Sequence, residues 1–416
     1  MQISRSLRGT TRNWLVIRTA NLLRQLISKL LRALAFTLPL VSGVEHAQAQ
    51  TVQTSAPFAL LMDYESGTVL FEKAADDLMA PASTAKIMTV ELVFHELAQG
   101  HLKLDDTFPI SENAWRKGGG VAGGSSMFAV LNSRISIEDL LRGVIIQSGN
   151  DAAIALAEGV AGTEDAFATL MTRRARELGL EKSTFTNPWG RGDLDMKVTA
   201  REMAMLSAHL IRTYPQYYHY FGEKEFTWNK IRQLNRNPLL NMELGADGLK
   251  TGDIKESGFG LVGSAVQNGQ RLILVVNGFK TANDRAEDSR RLINWGFRAF
   301  EPKVIFTDKD IVGTAKVFGG EAGEVGLVAN GSIKLLVPRT SGEKLTGKII
   351  YSGPLVAPLE QGKEVAHLRI SRGNTQIFDA PLFTASAIAH GTLSQRALDA
   401  GTEFGLGLFR QLVQKK

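Results

Sequence analysis

The chain has 416 residues, with 48 Lys and Arg against 42 Asp and Glu, 44% hydrophobic residues and no cysteine. That length exceeds one ordinary domain, so two folded domains with tails are expected, and it is ample for burying a core. The lack of cysteine excludes disulfides, thiol nucleophiles and cysteine-held metals, and leaves stability to packing.

The N-terminus carries the charge imbalance. Arg5, Arg8, Arg12, Arg18, Arg24, Lys29 and Arg32 precede an apolar run at 33–41, and Ala47-Gln48-Ala49 has the small-x-small form of a signal-peptidase site. Residues 1–49 are therefore predicted to be a cleaved export signal. The rival, a retained membrane helix over 21–41, is interrupted by Arg24, Lys29 and Arg32, which leave too short an apolar stretch to span a bilayer. Cleavage removes seven basic residues and one acidic residue, Glu45, leaving the mature chain formally neutral. The basic excess thus gives no ground for a nucleic-acid partner.

After the leader, apolar runs at 58–62 and 68–71 flank Asp63-Tyr64-Glu65-Ser66-Gly67, a hairpin pattern. Pro81 precedes a helical pattern from Ser83 to about Gln99, with Ile87, Val90, Phe94 and Leu97 on one stripe. The glycine-rich stretch 118–124 reads as a flexible loop. Ser136-Ile137-Glu138-Asp139 resembles a capping box opening a helix that ends near Gln147, and a second helix follows Asn150. Ser148 then falls in the connection between two buried helices. Runs at 259–266 and 272–276, joined through Asn268-Gly269, read as a second hairpin, and 284–300 reads as a helix. Strands at both ends of a mostly helical stretch predict one sheet closed by distant segments and covered by helices.

Past Glu301-Pro302, strand patterns at 304–306, 315–318, 333–337, 348–351 and 365–370 are punctuated by Gly and Pro. From 393 to 413, Leu393, Ala397, Ala400, Phe404, Leu408 and Leu412 share one helical face. The predicted organisation is a leader at 1–49, an α/β (α+β) domain over 50–300 with an antiparallel sheet flanked by helices, a small all-β domain over 301–383, and an amphipathic helix within 384–416.

Three short motifs occur in one order: Ser83-Thr84-Ala85-Lys86, Ser148-Gly149-Asn150 and Lys250-Thr251-Gly252. They fit S-x-x-K, S-x-N and K-T-G. About one S-x-x-K is expected by chance in such a length, and Ser341-Gly342-Glu343-Lys344 is a second instance. The ordered trio is what chance does not supply. A serine hydroxyl needs a base beside it to act as a nucleophile. On a helix, Lys86 returns to the face of Ser83. Burial and a second cation, Lys250, would lower its pKa enough for it to serve. Ser148 could relay a proton between the lysines, and Asn150 could hold Lys86 or a substrate amide. A helix start at Ser83 also supplies a backbone N–H for a developing oxyanion. Taken singly, these residues would be an N-cap, a solvated lysine, a turn and a strand start.

At these residues the chain resembles the low-molecular-mass penicillin-binding proteins, specifically the serine D-alanyl-D-alanine carboxypeptidases. The likeness extends to Ser111-Glu112-Asn113-Ala114-Trp115, Ser125-Ser126-Met127-Phe128, 143–157, Glu225-Phe226-Thr227-Trp228-Asn229 and Asp247-Gly248-Leu249-Lys250-Thr251-Gly252. It covers about 51–300 strongly and the β-rich segment weakly. The resemblance implies a penicillin-binding transpeptidase/β-lactamase-like domain, with Ser83 as nucleophile, Lys86 as its base, Ser148 and Asn150 as the second-motif pair and Lys250 as the third-motif cation. It further implies that Lys250, Thr251 and Gly252 line the substrate site, with Thr251 holding the terminal carboxylate. By the same resemblance Asp253 would supply the second oxyanion N–H, and Arg236 and Arg285 would lie near that carboxylate. Asp253 departs from the family's usual neutral residue or histidine. The implied partners are peptidoglycan stem peptides, β-lactams as covalent inhibitors, and a membrane surface under the C-terminal helix. The implied location is the periplasm, at the outer face of the inner membrane.

No cofactor is called for. The two G-x-G-x-x-G spacings, at 118–123 and 258–263, do not open helices after strands, and no G-x-S-x-G or H-E-x-x-H occurs. A class A β-lactamase is disfavoured because 185–199 offers Asp193 and Asp195 but no E-x-x-L-N, and the second motif is S-G-N. D,D-endopeptidase action on cross-links stays open.

Overall fold

The computed structural model describes residues 52–190, 193, 195–340, 344–397 and 400–401. The predicted leader, 1–49, lies outside them. In chain order the first region holds strands β1 (Phe58–Asp63), β2 (Val69–Lys73), β3 (Thr107–Pro109), β4 (Arg134–Ser136), β5 (Glu225–Trp228), β6 (Ile231–Leu234), β7 (Ala246–Ile254), β8 (Gly258–Gln267) and β9 (Gln270–Phe279). Its helices are α1 (Lys86–Ala98), α2 (Ile137–Ile145), α3 (Asn150–Ala161), α4 (Glu164–Glu177), α5 (Ala200–Thr213), α6 (Pro215–Tyr218) and α7 (Ala282–Ala299).

The central sheet runs β2-β1-β9-β8-β7, antiparallel throughout. It is closed by distant segments, as Leu60 pairs with Val275. Side chains alternate along a strand. Leu60, Ile273 and Val275 therefore enter the core with α1 to α5, while Leu61, Leu272, Leu274 and Val276 meet Leu292 and Ile293 of α7. Covering both faces explains why these strands read as unbroken apolar runs. Between β8 and β9, Asn268 and Gly269 both take positive φ (51° and 79°), the turn their identities predict.

Helix α1 is buried along nearly its whole length, from Lys86 to Phe94. Its first turn differs from the expectation, since Ala82–Ala85 is a 3-10 turn that feeds α1 at Lys86. Ser136 caps α2 by accepting from the Asp139 N–H, as expected. The glycine-rich stretch is not a loose loop. Ala114–Gly118 forms a π-helical turn and Gly120–Ala122 a 3-10 turn. A Cβ on Gly118 would fall 2.3 Å from Asp151 N, so this turn packs directly on the start of α3.

Beyond α7 come β10 (Phe300–Phe306), β11 (Gly313–Phe318), β12 (Glu324–Val328), β13 (Ile333–Pro338), β14 (Leu345–Ile350), β15 (Leu355–Val356), β16 (Glu364–Arg372) and β17 (Thr375–Thr384). They form a β10-β13 pair and a six-stranded sheet, β14-β16-β17-β12-β11-β15, around their own apolar core. Strands β12, β15 and β17 escaped the sequence reading. Pro381 argues against β17, and β15 is two residues long. Ahead of the helix that the sequence pattern starts at Leu393, Ile388 bridges Leu359 and His390 bridges Gly320. Helix is present at 393–397, with Leu393 81% exposed. The remainder of the predicted helix, apart from 400–401, lies outside the described residues.

Candidate active site

Ser83 lies in the 3-10 turn, half-buried, after Ala82 with φ of 50°. Such left-handed backbone costs energy in a non-glycine residue and gathers at functional sites. One turn on, the fully buried Lys86 Nζ lies 3.0 Å from Ser83 Oγ, 2.8 Å from Asn150 Oδ1 and 2.7 Å from the carbonyl oxygen of Trp189. As an ammonium, Lys86 donates to all three. As a neutral amine it has two N–H bonds and one lone pair. The two carbonyl oxygens only accept, so they take the N–H bonds and leave the lone pair facing Ser83 Oγ. That is the geometry of a general base on a hydroxyl.

Charge favours the neutral form. Burial pushes the Lys86 pKa well below the ordinary lysine value, and Lys250 and Arg236 push the same way against Asp151 and Asp253. Lys250 is also buried. Burial, with Arg236 and Arg285 in the same sense and Asp253 opposing, brings it down to about 7.

The turn between α2 and α3 holds the second motif. Ser148 adopts φ of 65°, and Asn150 opens α3 with its side-chain oxygen on Lys86. Ser148 Oγ is buried without a hydrogen-bond partner. The proton relay between the lysines expected from the sequence is thus not formed here, because Lys250 Nζ turns to the carbonyl of Thr251 at 3.3 Å.

The third motif lies inside β7, not at a strand start. Being the sheet's edge, β7 has a free side, and there Gly252 meets the turn that carries Ser83. A Cβ on Gly252 would fall 2.9 Å from Pro81 O, 3.0 Å from Thr84 N and 3.1 Å from Ser83 N. Only glycine lets strand and turn approach so closely. Ser83, Ser148, Asn150, Arg236, Thr251 and Asp253 line one cleft of about 1410 Å³. Asp253 is exposed there. Arg236 donates to Ser125 Oγ at 2.8 Å. Arg285 is set back, its guanidinium 5.8 Å from the centre of the Phe259 ring, which itself lines the cleft. Among the described residues no group of three or more His, Asp and Glu could hold a metal ion.

Two contributors were not read from the sequence. Trp189 acts through its carbonyl, which leaves no side-chain signature. Asp151, fully buried, accepts from Ser126 Oγ (2.7 Å), Met127 N (2.9 Å) and Ala129 N (3.0 Å), pinning to α3 the segment that follows Ser125 of the cleft lining. Its position at the N-terminus of a helix was the available hint.

A family model described as D-alanyl-D-alanine carboxypeptidase matches residues 44–281, and one for the C-terminal domain of penicillin-binding protein 5 matches 300–390. The chain is 40% identical over 381 residues to the D-alanyl-D-alanine carboxypeptidase DacC of Escherichia coli (strain K12), covering 89% of this chain and 95% of that protein. The crystal structure of penicillin binding protein 5 from Haemophilus influenzae is similar with a TM-score of 0.69 at 34% identity, over 82% of this chain and 99% of that one. The ampicillin-bound form of penicillin-binding protein D2 from Listeria monocytogenes gives a TM-score of 0.54 at 29% identity, over 59% and 99%. With its ordered motifs converging on one cleft, the chain belongs to the peptidase S11 family of D-alanyl-D-alanine carboxypeptidases.

Proposed function

We propose that this protein removes the terminal D-Ala from peptidoglycan pentapeptide stems through an acyl-enzyme on Ser83, and that β-lactams acylate the same oxygen. The observation that carries the reading is the Lys86 amine, held by two acceptor oxygens with its third position on Ser83 Oγ. Ser83 Oγ attacks the carbonyl carbon of the D-Ala–D-Ala bond while its proton passes to Lys86 Nζ. The oxyanion is held by backbone N–H groups of Ser83 and Asp253. Collapse breaks the C–N bond, and the departing D-Ala amine takes the proton, with Ser148 beside its path. Water then attacks the ester carbon and gives one proton to Lys86 Nζ, the bond to Ser83 Oγ breaks to release the shortened peptide as its acid, and Lys86 passes that proton to Ser83 Oγ. Thr251, Lys250 and Arg236 receive the terminal carboxylate, with Arg285 adding positive charge from behind Phe259.

The segment 185–199 has no E-x-x-L-N pattern, and among its described residues the one that hydrogen-bonds Lys86 is Trp189, through its carbonyl. This supports slow release of β-lactams over their hydrolysis. The tripartite pattern of 1–49 supports export to the periplasm. The apolar face from Leu393 to Leu412 supports attachment to the outer face of the inner membrane, with 50–300 as the catalytic domain, 301–383 as a β-rich spacer and 384–416 carrying the anchor.

D-Ala release from a D-alanyl-D-alanine peptide and from its C-terminal amide tests the reading. The acid should turn over and the amide poorly, since charge-assisted hydrogen bonds contribute about 1.5–3 kcal/mol each. An amide processed as fast as the acid would remove the carboxylate pocket and favour endopeptidase work on cross-links.

A further inference from the structure

The Trp189 carbonyl belongs to a segment bound on two sides. Toward α1, Thr89 Oγ1 donates to the Pro188 carbonyl at 2.6 Å, one helical turn from Lys86 on Trp189. Within the segment, Asn187 Oδ1 accepts from the Trp189 and Gly190 N–H groups at 3.2 and 2.7 Å. Gly190 takes φ of 82°, and a Cβ there would fall 1.9 Å from Ala82 O, beside the nucleophile. Away from α1, the Trp189 indole Nε1 donates to Glu164 Oε2 at 3.0 Å. The other oxygen, Glu164 Oε1, accepts from Lys117 Nζ and Asn113 Nδ2, both at 2.9 Å. Glu164 opens α4, where a carboxylate is favoured, and its side chain is 12% exposed.

Asn113 immediately precedes, and Lys117 lies within, the π-helical turn whose last residue, Gly118, packs on Asn150 and Asp151. Such turns recur at functional sites. One element therefore touches both acceptors that aim the Lys86 lone pair: Asn150 through Gly118, and Trp189 through Glu164.

We infer that Glu164 and the Trp189 indole form a positioning latch that holds the Trp189 carbonyl on Lys86 and so keeps the amine's lone pair on Ser83. The latch rests on Lys86 being the base for Ser83. Its loss frees the carbonyl to withdraw, and Lys86 then spends more time with its lone pair turned from the nucleophile. The substrate contacts at Thr251, Arg236 and Asp253 are untouched. The consequence falls on the chemical step and not on capture.

Penicillin acylation of the full chain, resolved into a non-covalent constant and a first-order acylation rate, tests this in Trp189→Phe, Glu164→Ala and the double variant, with thermal melting as the check on folding. Each single variant should acylate roughly tenfold more slowly, the yield of one hydrogen bond, with the non-covalent constant unchanged. The double variant should be no slower than Glu164→Ala alone, because that variant already cuts the bond that Trp189→Phe removes. A parental rate in Trp189→Phe, or losses that multiply in the double variant, overturns the latch. If parent protein is acylated normally while Lys86→Arg is equally fast, the underlying role of Lys86 fails, and the latch with it.

Discussion

Gly252 of β7 lies against Ser83 so closely that a single added carbon would stand 3.1 Å from the Ser83 backbone nitrogen. Strand β7, with the third motif, and the turn that carries Ser83 are thereby fixed to one another through backbone alone. Gly252→Ala must part them, because the obstructing atoms, Pro81 O and Thr84 N among them, are also backbone. Acylation by penicillin should fall about 10²-fold, the scale of losing an oxyanion donor, with only a modest change in melting temperature. Parental acylation in this variant would show that the close approach serves packing alone.

Lys86→Arg retains a cation but not one that becomes neutral. Burial and the neighbouring Lys250 and Arg236 hold Lys86 well below the ordinary lysine range, so a neutral amine is available to take the Ser83 proton. Acylation should drop by about 10² or more. Stopped-flow acylation of the variant near the parental rate would remove Lys86 as the base.

Lys250 makes the site costly to fold. Its pKa falls from 10.5 in the free side chain to about 7 when buried. Between those values the unfolded chain holds a proton that folded Lys250 has released, so its contribution to stability rises with pH across the window. Below about 7 the full penalty applies. Lys250→Met should therefore melt higher than the parent at pH 7, by a margin that shrinks toward pH 10, while losing peptidase activity. A melting temperature below the parent's at pH 7 would contradict the assigned direction.

Asp253 faces the same cleft, exposed. Its carboxylate holds Lys86 and Lys250 toward their charged forms and repels an incoming carboxylate. Asp253→Asn should lower the Michaelis constant for a D-alanyl-D-alanine peptide at alkaline pH by about threefold, as expected for a screened charge. It should also move the acid limb of the rate profile to lower pH, because Lys86 loses its proton more readily. An unchanged profile would mean that only the Asp253 backbone N–H matters.

That Ser83, Lys86 and Lys250 come together was legible because helical spacing and motif order are side-chain signals. Ser83 and Lys86 meet across one turn as the S-x-x-K spacing requires. The central hairpin was legible through Asn268-Gly269, whose positive φ values realise the turn. What stayed hidden acts through backbone or long-range packing. The Trp189 carbonyl has no residue preference, and Glu164 reaches it from another helix. Gly118 looked like a flexible loop because its tight packing on α3 is tertiary. Strand β17 was masked by Pro381. The proton relay through Ser148 was chemically reasonable, yet its hydroxyl is unpartnered here.

The central claim, a covalent acyl-enzyme on Ser83, is tested most directly by intact mass after brief exposure to penicillin. The parent should gain the mass of one drug molecule, mapped to the peptide containing Ser83, and Ser83→Ala should gain none while melting as a folded protein. Drug mass on an active-site peptide of Ser83→Ala would contradict the account.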